Sequence, residues 1–401
     1  MSKLSAALHK VGHMRLLHTS DWHLGRTFHG ASLIEAQRAV LQEIIDITIN
    51  QQVDVVLISG DIYDRALPHV DAVQLCNWVL RELRATGASI VITSGNHDSA
   101  SRLGFGADLL DSAGVHIIAD TQRMLQPVLR DAGDHQVAVY GIPYLEPRMV
   151  KERLGVAKAS HEAVVQAAIA QIDEHLEQLR AGQKPVVSIA MAHLFAAGGI
   201  ASDSERELST GNLDVVPAEL FEHFDYSALG HLHGRQKVKE HVRYSGSPLA
   251  YSFSEATQRK GVWLIDTSAS GIESIEEILL PVPKKLAILK GKLAELLADP
   301  DLESAVGAWC QVTLTDSERP ADAMATIRTR FPDTVVLNFA PEGTGEKEQP
   351  ASYAERMAKA TSTEQVVRDF VEHVRERAAD DPEREVIDSV IQATREAQAS
   401  Q

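Results

Sequence analysis

The stretch Val53 to Asp64, VDVVLISGDIYD, runs an apolar, β-branched segment straight into a polar turn. A run this short, apolar on both faces, reads as a buried strand, and Gly60 reads as the turn that ends it. Two carboxylates, Asp61 and Asp64, then arrive at the strand's carboxyl end. The same design recurs along the chain. Arg15 to Thr19 runs into SDWH, which puts Asp21 and His23 two residues apart and so on one side of an extended segment. Ser89 to Thr93 runs into SGNHD, giving Asn96, His97 and Asp98; Pro185 to Ala192 runs into His193; Tyr226 to Leu229 runs into GHLH, giving His231 and His233.

Between these strands lie helical patterns at Glu35 to Gln52, Val70 to Thr86 and His161 to Arg180. Strands alternating with helices indicate an α/β domain with a largely buried sheet, and Val137 to Gly141, Val242 to Tyr244 and Val262 to Asp266 add strands to it. The pattern then changes. Leu286 to Leu297 reads as a helix, Trp309 to Leu314 as a strand, Ala321 to Arg330 as a helix and Thr334 to Asn338 as a strand, a small α+β domain over 266–340. Pro341 to Ser352, PEGTGEKEQPAS, opens a linker placed at 341–361. In 362–401, Ser362 and Gln365 have capping-box spacing ahead of Val366, Val367, Phe370, Val371 and Val374 on one helical face, and a last helix carries Val386, Ile387, Val390 and Ile391.

Polar groups suited to metals therefore gather at five strand ends, where open α/β sheets place their ligand crevices. One ion could take Asp21, His23 and His233, a second Asn96, His193 and His231, with Asp61 bridging both. Two ions sharing a carboxylate sit roughly 3.5–4 Å apart, a spacing that clamps the attacking and leaving oxygens of a phosphoester. Imidazole, carboxylate and amide ligands without thiolate favour Mn²⁺ over a tetrahedral structural zinc. Singly, Asp21 reads as a helix cap, Asn96 as a turn residue and His193 as a core histidine; seven such residues behind consecutive strands do not. Of the other histidines, His18, His116 and His135 read as structural and His9, His13 and His175 as solvated, while His29 and His69 are candidates for lining a substrate groove. Arg26, Arg65 and Arg102 are candidate phosphate contacts.

Composition narrows the class. No apolar run reaches the length of a membrane span and residues 1–13 lack the core of a signal peptide, so a cytoplasmic protein is expected, with 1–13 as an extension. Cys76 and Cys310 are too few and too far apart for a disulfide framework or a zinc ribbon. The net charge of −17 argues at first sight against a nucleic-acid partner. Its distribution argues otherwise: residues 1–265 hold 24 basic and 30 acidic residues, a balance of −6, and 16 of the 17 histidines. Two divalent ions would bring that region to about −2.

DxH, GDxxD, GNHD, a lone His and GHxH, in this order, resemble the motifs of the calcineurin-like metallophosphoesterases. More narrowly, LHTSDWHLG, GDIYDRALP, SGNHDSASRL, ALGHLHGRQ and RYSGSPLAYSFSE resemble the SbcD-type nuclease subunits of bacterial exonuclease complexes, from about Met14 to the terminal helices. The resemblance implies a β-sandwich flanked by helices over 14–265, a small α+β capping domain, and C-terminal helices that grip the coiled coil of SbcC, an SMC-like ATPase. It implies two Mn²⁺, or Mg²⁺ or another divalent ion, one on Asp21, His23, Asp61 and His233 and the other on Asp61, Asn96, His193 and His231. His97 would face the scissile phosphate without being a ligand, and we expect Asp64 to orient it. The implied activity is a 3′–5′ double-strand exonuclease and single-strand or hairpin endonuclease on DNA, nucleoid-associated, dimeric within a heterotetramer through Val70 to Thr86 and Ser101 to Ala113. A protein phosphatase or a cyclic-nucleotide phosphodiesterase is the competing enzyme reading.

Overall fold

In a computed structural model, which describes residues 12–205 and 215–341, two six-stranded sheets carry the first compact unit. Sheet A is built from β1 (Met14–Thr19), β2 (Val55–Ser59), β3 (Ser89–Thr93) and β4 (Val115–Ile118), and later in the chain gains two more strands. Sheet B holds β5 (Val128–Asp131), β6 (Gln136–Ile142), β7 (Val186–His193), β8 (Tyr226–Gly230), β9 (Gln236–Lys237) and β10 (Val242–Tyr244). The chain then returns to sheet A with β11 (Gly261–Ser268) and β12 (Gly271–Leu279), giving the orders β12-β11-β1-β2-β3-β4 and β9-β10-β8-β7-β6-β5. β1 to β4 run parallel, as do β6, β7, β8 and β10, so the carboxyl ends that carry the motifs within each sheet lie along one edge.

Alternation along each strand explains why these runs are apolar throughout. Leu16, Val55, Leu57 and Val91 of sheet A meet Val139, Ile189, Met191 and Ala228 of sheet B in an inner layer. Leu17, Val56, Ile58, Ile90 and Ile92 point the other way, onto α1 (Ile34–Asn50) and α2 (Val70–Ala85). On the far side, Ala138, Tyr140, Ala190 and Leu229 pack against α3 (His161–Arg180) through Val164, Val165, Ile169 and Ile172. Strands covered on both faces have no polar side to show. The result is the expected sandwich flanked by helices.

Helices α1, α2 and α3 fall within two residues of the sequence reading. The segment Leu286 to Leu297 does not form the single helix expected there. It is a strand, β13 (Leu286–Gly291), followed by a short helix, Leu293–Ala298. Its leucines have helical spacing, but pairing with β14 (Trp309–Leu314), which is bordered on its other side by β15 (Thr334–Phe339), overrides that period. Within the first unit, Trp309 stacks on Phe28, with centroids 5.0 Å apart. The described part of the second unit, within 291–293, 314–321 and 339–341, is held by Asp316 accepting from the Leu293 N–H at 2.9 Å and by Thr315 N–H donating to the Gly291 carbonyl at 3.0 Å. Residues 1–11, the linker from 342 onward and the helices expected in 362–401 lie outside the described residues. Among the described residues no helix is long and apolar enough to cross a membrane.

Candidate metal centre

Three of the five strand ends deliver their polar residues through turns that ordinary side chains resist. Asp21, His23, Asp61 and His231 all take left-handed backbone angles, with φ of 53°, 44°, 49° and 105°. Non-glycine residues are held in this region only when their surroundings over-determine them, and such strain concentrates at functional sites. Gly60 also sits at φ 82°, and a Cβ there would run into the His193 imidazole. A Cβ on Gly230 would strike the Ser59 carbonyl, so the β2 and β8 ends approach closely enough to exclude any side chain.

The turns bring five of the seven expected ligands, Asp21, His23, Asp61, His193 and His233, into overlapping groups, and Asn96 and the His231 ring join them through the Asn96 amide oxygen. His23 Nε2 lies 3.0 Å from His233 Nε2 and 3.5 Å from Asp61 Oδ2. His193 Nε2 lies 3.3 Å from Asp61 Oδ2 and 2.9 Å from Asn96 Oδ1, which is itself 3.3 Å from His231 Nδ1. Asp61 thus faces both groups of ligands. Asp21 accepts the His231 main-chain N–H at 3.0 Å, and its carboxylate, with ring nitrogens of His23 and His233, falls within one ion's reach. Asp21, Asp61 and His193 form a second such group, and His23, Asp61 and His97 a third. Asp21, His23, Asp61, His193 and His233 are at most 2 % exposed, and among the described residues Asp21 and Asp61 form ion pairs only with histidines.

Electrostatics follow from that burial. Burial pushes the Asp21 carboxyl up to about 6 despite the nearby His193. Burial alone would lower His193, but the Asp61 carboxylate outweighs it and lifts the imidazole to about 9; the same pairing holds Asp61 well below the usual carboxylate range against its own burial. Burial lowers His23, and burial with the adjacent His193 brings His231 down to about 3, leaving both rings neutral and able to ligate. Two convergent carboxylates, four imidazoles and an amide oxygen, with no buried ammonium or guanidinium among them, suit divalent cations. The buried His23 Nδ1 has no hydrogen-bond partner; the group it faces is the Asp64 carboxylate, at 3.7 Å.

His97 lies at the rim, its ring edge-on to His23 with centroids 4.8 Å apart. Its main-chain N–H donates to Asp61 Oδ1 at 2.9 Å. The expected partnership with Asp64 takes a different form from a carboxylate–imidazole pair: His97 Nδ1 meets the main-chain carbonyl of Asp64 at 2.8 Å. The Asp64 carboxylate instead faces His23 Nδ1 and Arg26 Nη1, each at 3.7 Å. Of the residues read as solvated, His175 bonds Tyr140 at 2.9 Å and His13 pairs with Asp266 at 3.1 Å. His29 and His69 are exposed.

Two supports have no role in the sequence reading, which names Asp98 only as part of GNHD and does not name Gln37. Asp98 accepts the main-chain N–H groups of Ile62, Tyr63 and Gly95 at 3.1, 3.0 and 2.9 Å, tying the GDIYD turn to the GNHD turn; burial, with the Asp61 charge, raises it to about 7. Gln37 of α1 donates to the His23 carbonyl at 2.8 Å and accepts from Gly25 N–H at 3.1 Å, fixing the DWH turn. Its signal was available: a glutamine on the buried stripe of α1, one turn before Val40 and Leu41.

Comparison with known proteins matches residues 14–235 to the calcineurin-like phosphoesterase family and residues 282–375 to the type 5 capsule protein repressor C-terminal domain. The SbcD subunit of the SbcCD nuclease of Escherichia coli (strain K12) is 33 % identical over 328 residues, covering 79 % of this chain and 81 % of that protein. The protein of the same name from Staphylococcus saprophyticus is 30 % identical over 327 residues, covering 81 % and 84 %. A crystal structure of a Thermus thermophilus protein aligns with 67 % of this chain and 99 % of its own at 12 % identity, with a TM-score of 0.38.

Proposed function

The chain belongs to the calcineurin-like phosphoesterases and is a nuclease of the SbcCD type, and from that premise we propose that it is a Mn²⁺-dependent DNA nuclease, a 3′–5′ exonuclease on duplex ends and an endonuclease on single strands and hairpins. The observation that carries this reading is Asp61 standing between two sets of ligands, His23 on one side and His193 on the other, at 3.5 and 3.3 Å from the same oxygen. Asp21, His23, Asp61 and His233 would hold one ion, and Asp61, Asn96, His193 and His231 the other. When bound, two divalent cations supply positive charge to the phosphodiester and activation of a water molecule.

The chain's own residues then divide the remaining work. His97, held by Nδ1 on the Asp64 carbonyl beside His23 and Asp61, leaves Nε2 for the substrate, where a protonated ring would stabilise developing charge and donate to the leaving oxygen. Arg26, held beside Asp64 and over the Tyr251 ring at 5.2 Å, is placed to contact a neighbouring phosphate. Weak intrinsic affinity for DNA follows from the acidic balance, so a partner supplies much of the phosphate contact. We assign that partner to SbcC, bound through the apolar face of 362–401, in end processing for repair, recombination and replication in the cytoplasm at the nucleoid.

Dimerisation through α2 and the segment after GNHD is supported by exposed apolar side chains. Val70, Phe105 and Leu109 are 69, 86 and 80 % exposed, whereas Leu75 and Val79 of α2 are fully buried in the chain's own core. Incubation with labelled linear duplex and Mn²⁺, with and without chelator and SbcC, tests the whole reading. Chelator-sensitive degradation supports it; intact DNA alongside hydrolysis of a phosphoprotein or cyclic nucleotide overturns it. Deleting 362–401 is expected to abolish SbcC binding and spare hydrolysis of a small phosphodiester.

A further inference from the structure

His233 is gripped from three sides by residues outside the ligand set. Its main-chain N–H donates to the Glu205 carboxylate, its carbonyl accepts from Lys260 Nζ at 2.8 Å, and its ring Nδ1 lies 2.9 Å from Ser204 Oγ. The Ser204 hydroxyl donates its one proton to Glu255 Oε1 at 2.9 Å, so towards the ring it accepts. Nδ1 of His233 therefore carries the proton, and Nε2, which faces His23 across 3.0 Å, keeps the lone pair a cation needs.

The grip is built from buried charge. Glu255, Glu205 and Lys260 are 1, 4 and 4 % exposed. Lys260 Nζ also bonds Glu255 Oε2 at 2.5 Å and Ser247 Oγ at 3.0 Å. Glu205 takes further donors from Ser202, whose hydroxyl lies at 2.7 Å, and among the described residues no Lys or Arg forms an ion pair with it. Two carboxylates against one ammonium leave an excess negative charge beside a cation ligand. Burying such charges costs several kcal/mol each, and apolar residues of similar volume would fill the space at less cost, so packing does not account for them. His193 has nothing comparable: its Nδ1 meets the Ser59 main-chain carbonyl at 3.0 Å, and the carboxylate it also faces, Asp21 at 3.9 Å, belongs to the ligand set itself.

We propose that Ser204, Glu205, Glu255 and Lys260 form a positioning clamp on His233 that sets the affinity of the cation held by Asp21, His23 and His233, a role that rests on the two-cation reading of the centre. A carboxylate acting through the far nitrogen of a ligating imidazole fixes the ring and raises its basicity. Ser204 and Glu205 are neighbours on one loop, so that loop governs one of the two cations and leaves the other alone. Lys260 keeps the paired carboxylates tolerable in the interior.

The test is a Mn²⁺ titration of the metal-stripped full chain by calorimetry and electron paramagnetic resonance, with Ser204→Ala, Glu205→Gln and Glu255→Gln beside the parent. One of two binding steps is expected to weaken by about 10- to 100-fold. The other step is expected to hold in all three, and the melting temperature of the metal-free protein to hold in Ser204→Ala and Glu205→Gln, with hydrolysis recovering as Mn²⁺ is raised; Glu255→Gln, which leaves the buried Lys260 without its counter-ion, is expected to lower that melting temperature as well. Two unchanged steps in all three variants would overturn the clamp, as would a uniform loss of both steps with a lowered metal-free melting temperature. A parent chain that binds no Mn²⁺ would overturn the two-cation reading itself, a failure distinguishable from the first because it precedes any substitution.

Discussion

Histidines buried inside the sandwich and histidines buried at its edge are equally hidden from water, yet only the second kind can ligate. His18 and His135 are 0 % exposed, and His23, His193 and His233 are 1–2 % exposed. Inside, His18 Nδ1 meets the Tyr226 hydroxyl at 2.9 Å, and His135 Nε2 meets the Thr267 hydroxyl at 3.0 Å, each linking one sheet to the other. At the edge, ring nitrogens face carboxylates and each other, on turns that include left-handed residues. Burial therefore does not distinguish a structural histidine from a functional one. Position does: His18 and His135 face the filled layer between the sheets, whereas the ligands sit on the last residue of a strand or just past it and face the crevice.

The largest effect that sharpens this contrast is at the rim. His97→Ala is expected to lower nuclease turnover by about 10²- to 10⁴-fold with both Mn²⁺ retained, measured on labelled duplex with metal content read in parallel. Loss of bound metal with the rate would move His97 into the ligand set. The complementary break is in the inner layer, where Ile189 is fully buried. Ile189→Ala should cost about 2–5 kcal/mol of unfolding free energy in urea, while leaving Mn²⁺ stoichiometry unchanged at low temperature.

Much of this was legible because double-sided burial writes itself into the strands. VVLIS, SIVIT and VVSIAMAH can be neither solvated on one face nor long helices, and their ends locate the centre without tertiary information. Non-local pairing was not legible. β12, GIESIEEIL, carries isoleucines at every third position and alternates too little to announce a strand; it forms because β11 offers it an edge. Leu286 to Gly291 has leucines at helical spacing for the same reason, with only Leu289 buried. Nor does sequence reveal whether a turn residue acts through its side chain or its backbone, since that depends on the turn's dihedral angles.

A smaller effect probes the interior by pH. Burial holds His18 at about 3, against 6.5 for an ordinary histidine, so the folded chain keeps it neutral while the unfolded chain protonates it below about 6.5. Its contribution is complete above 6.5 and is lost as the pH falls toward 3, reaching about 2 kcal/mol of destabilisation at pH 5. Urea unfolding at pH 7 and pH 5 in chelator should show this loss, and the pair His18→Leu with Tyr226→Phe should remove that share of it without orphaning the hydroxyl. An equal pH slope in parent and double variant would place the titrating histidine elsewhere.

The smallest expected effect separates backbone from side chain at the centre itself. Asp64 stands where a carboxylate–imidazole pair with His97 is expected from the motif, yet the atom that meets Nδ1 is its carbonyl oxygen. Asp64→Asn keeps that carbonyl and removes only the carboxylate charge, whose partners His23 and Arg26 lie at 3.7 Å, beyond hydrogen-bond length. Asp64 and Arg26 are only 18 and 19 % exposed, but at this separation the pair contributes about 1 kcal/mol, so turnover is expected to fall by no more than about fivefold. The acid limb of the pH–rate profile should stay in place, because a carbonyl does not titrate. A drop matching that of His97→Ala, with the limb displaced, would show that the Asp64 carboxylate swings onto His97 when substrate is bound, and the orientation of the ring would then belong to the side chain after all.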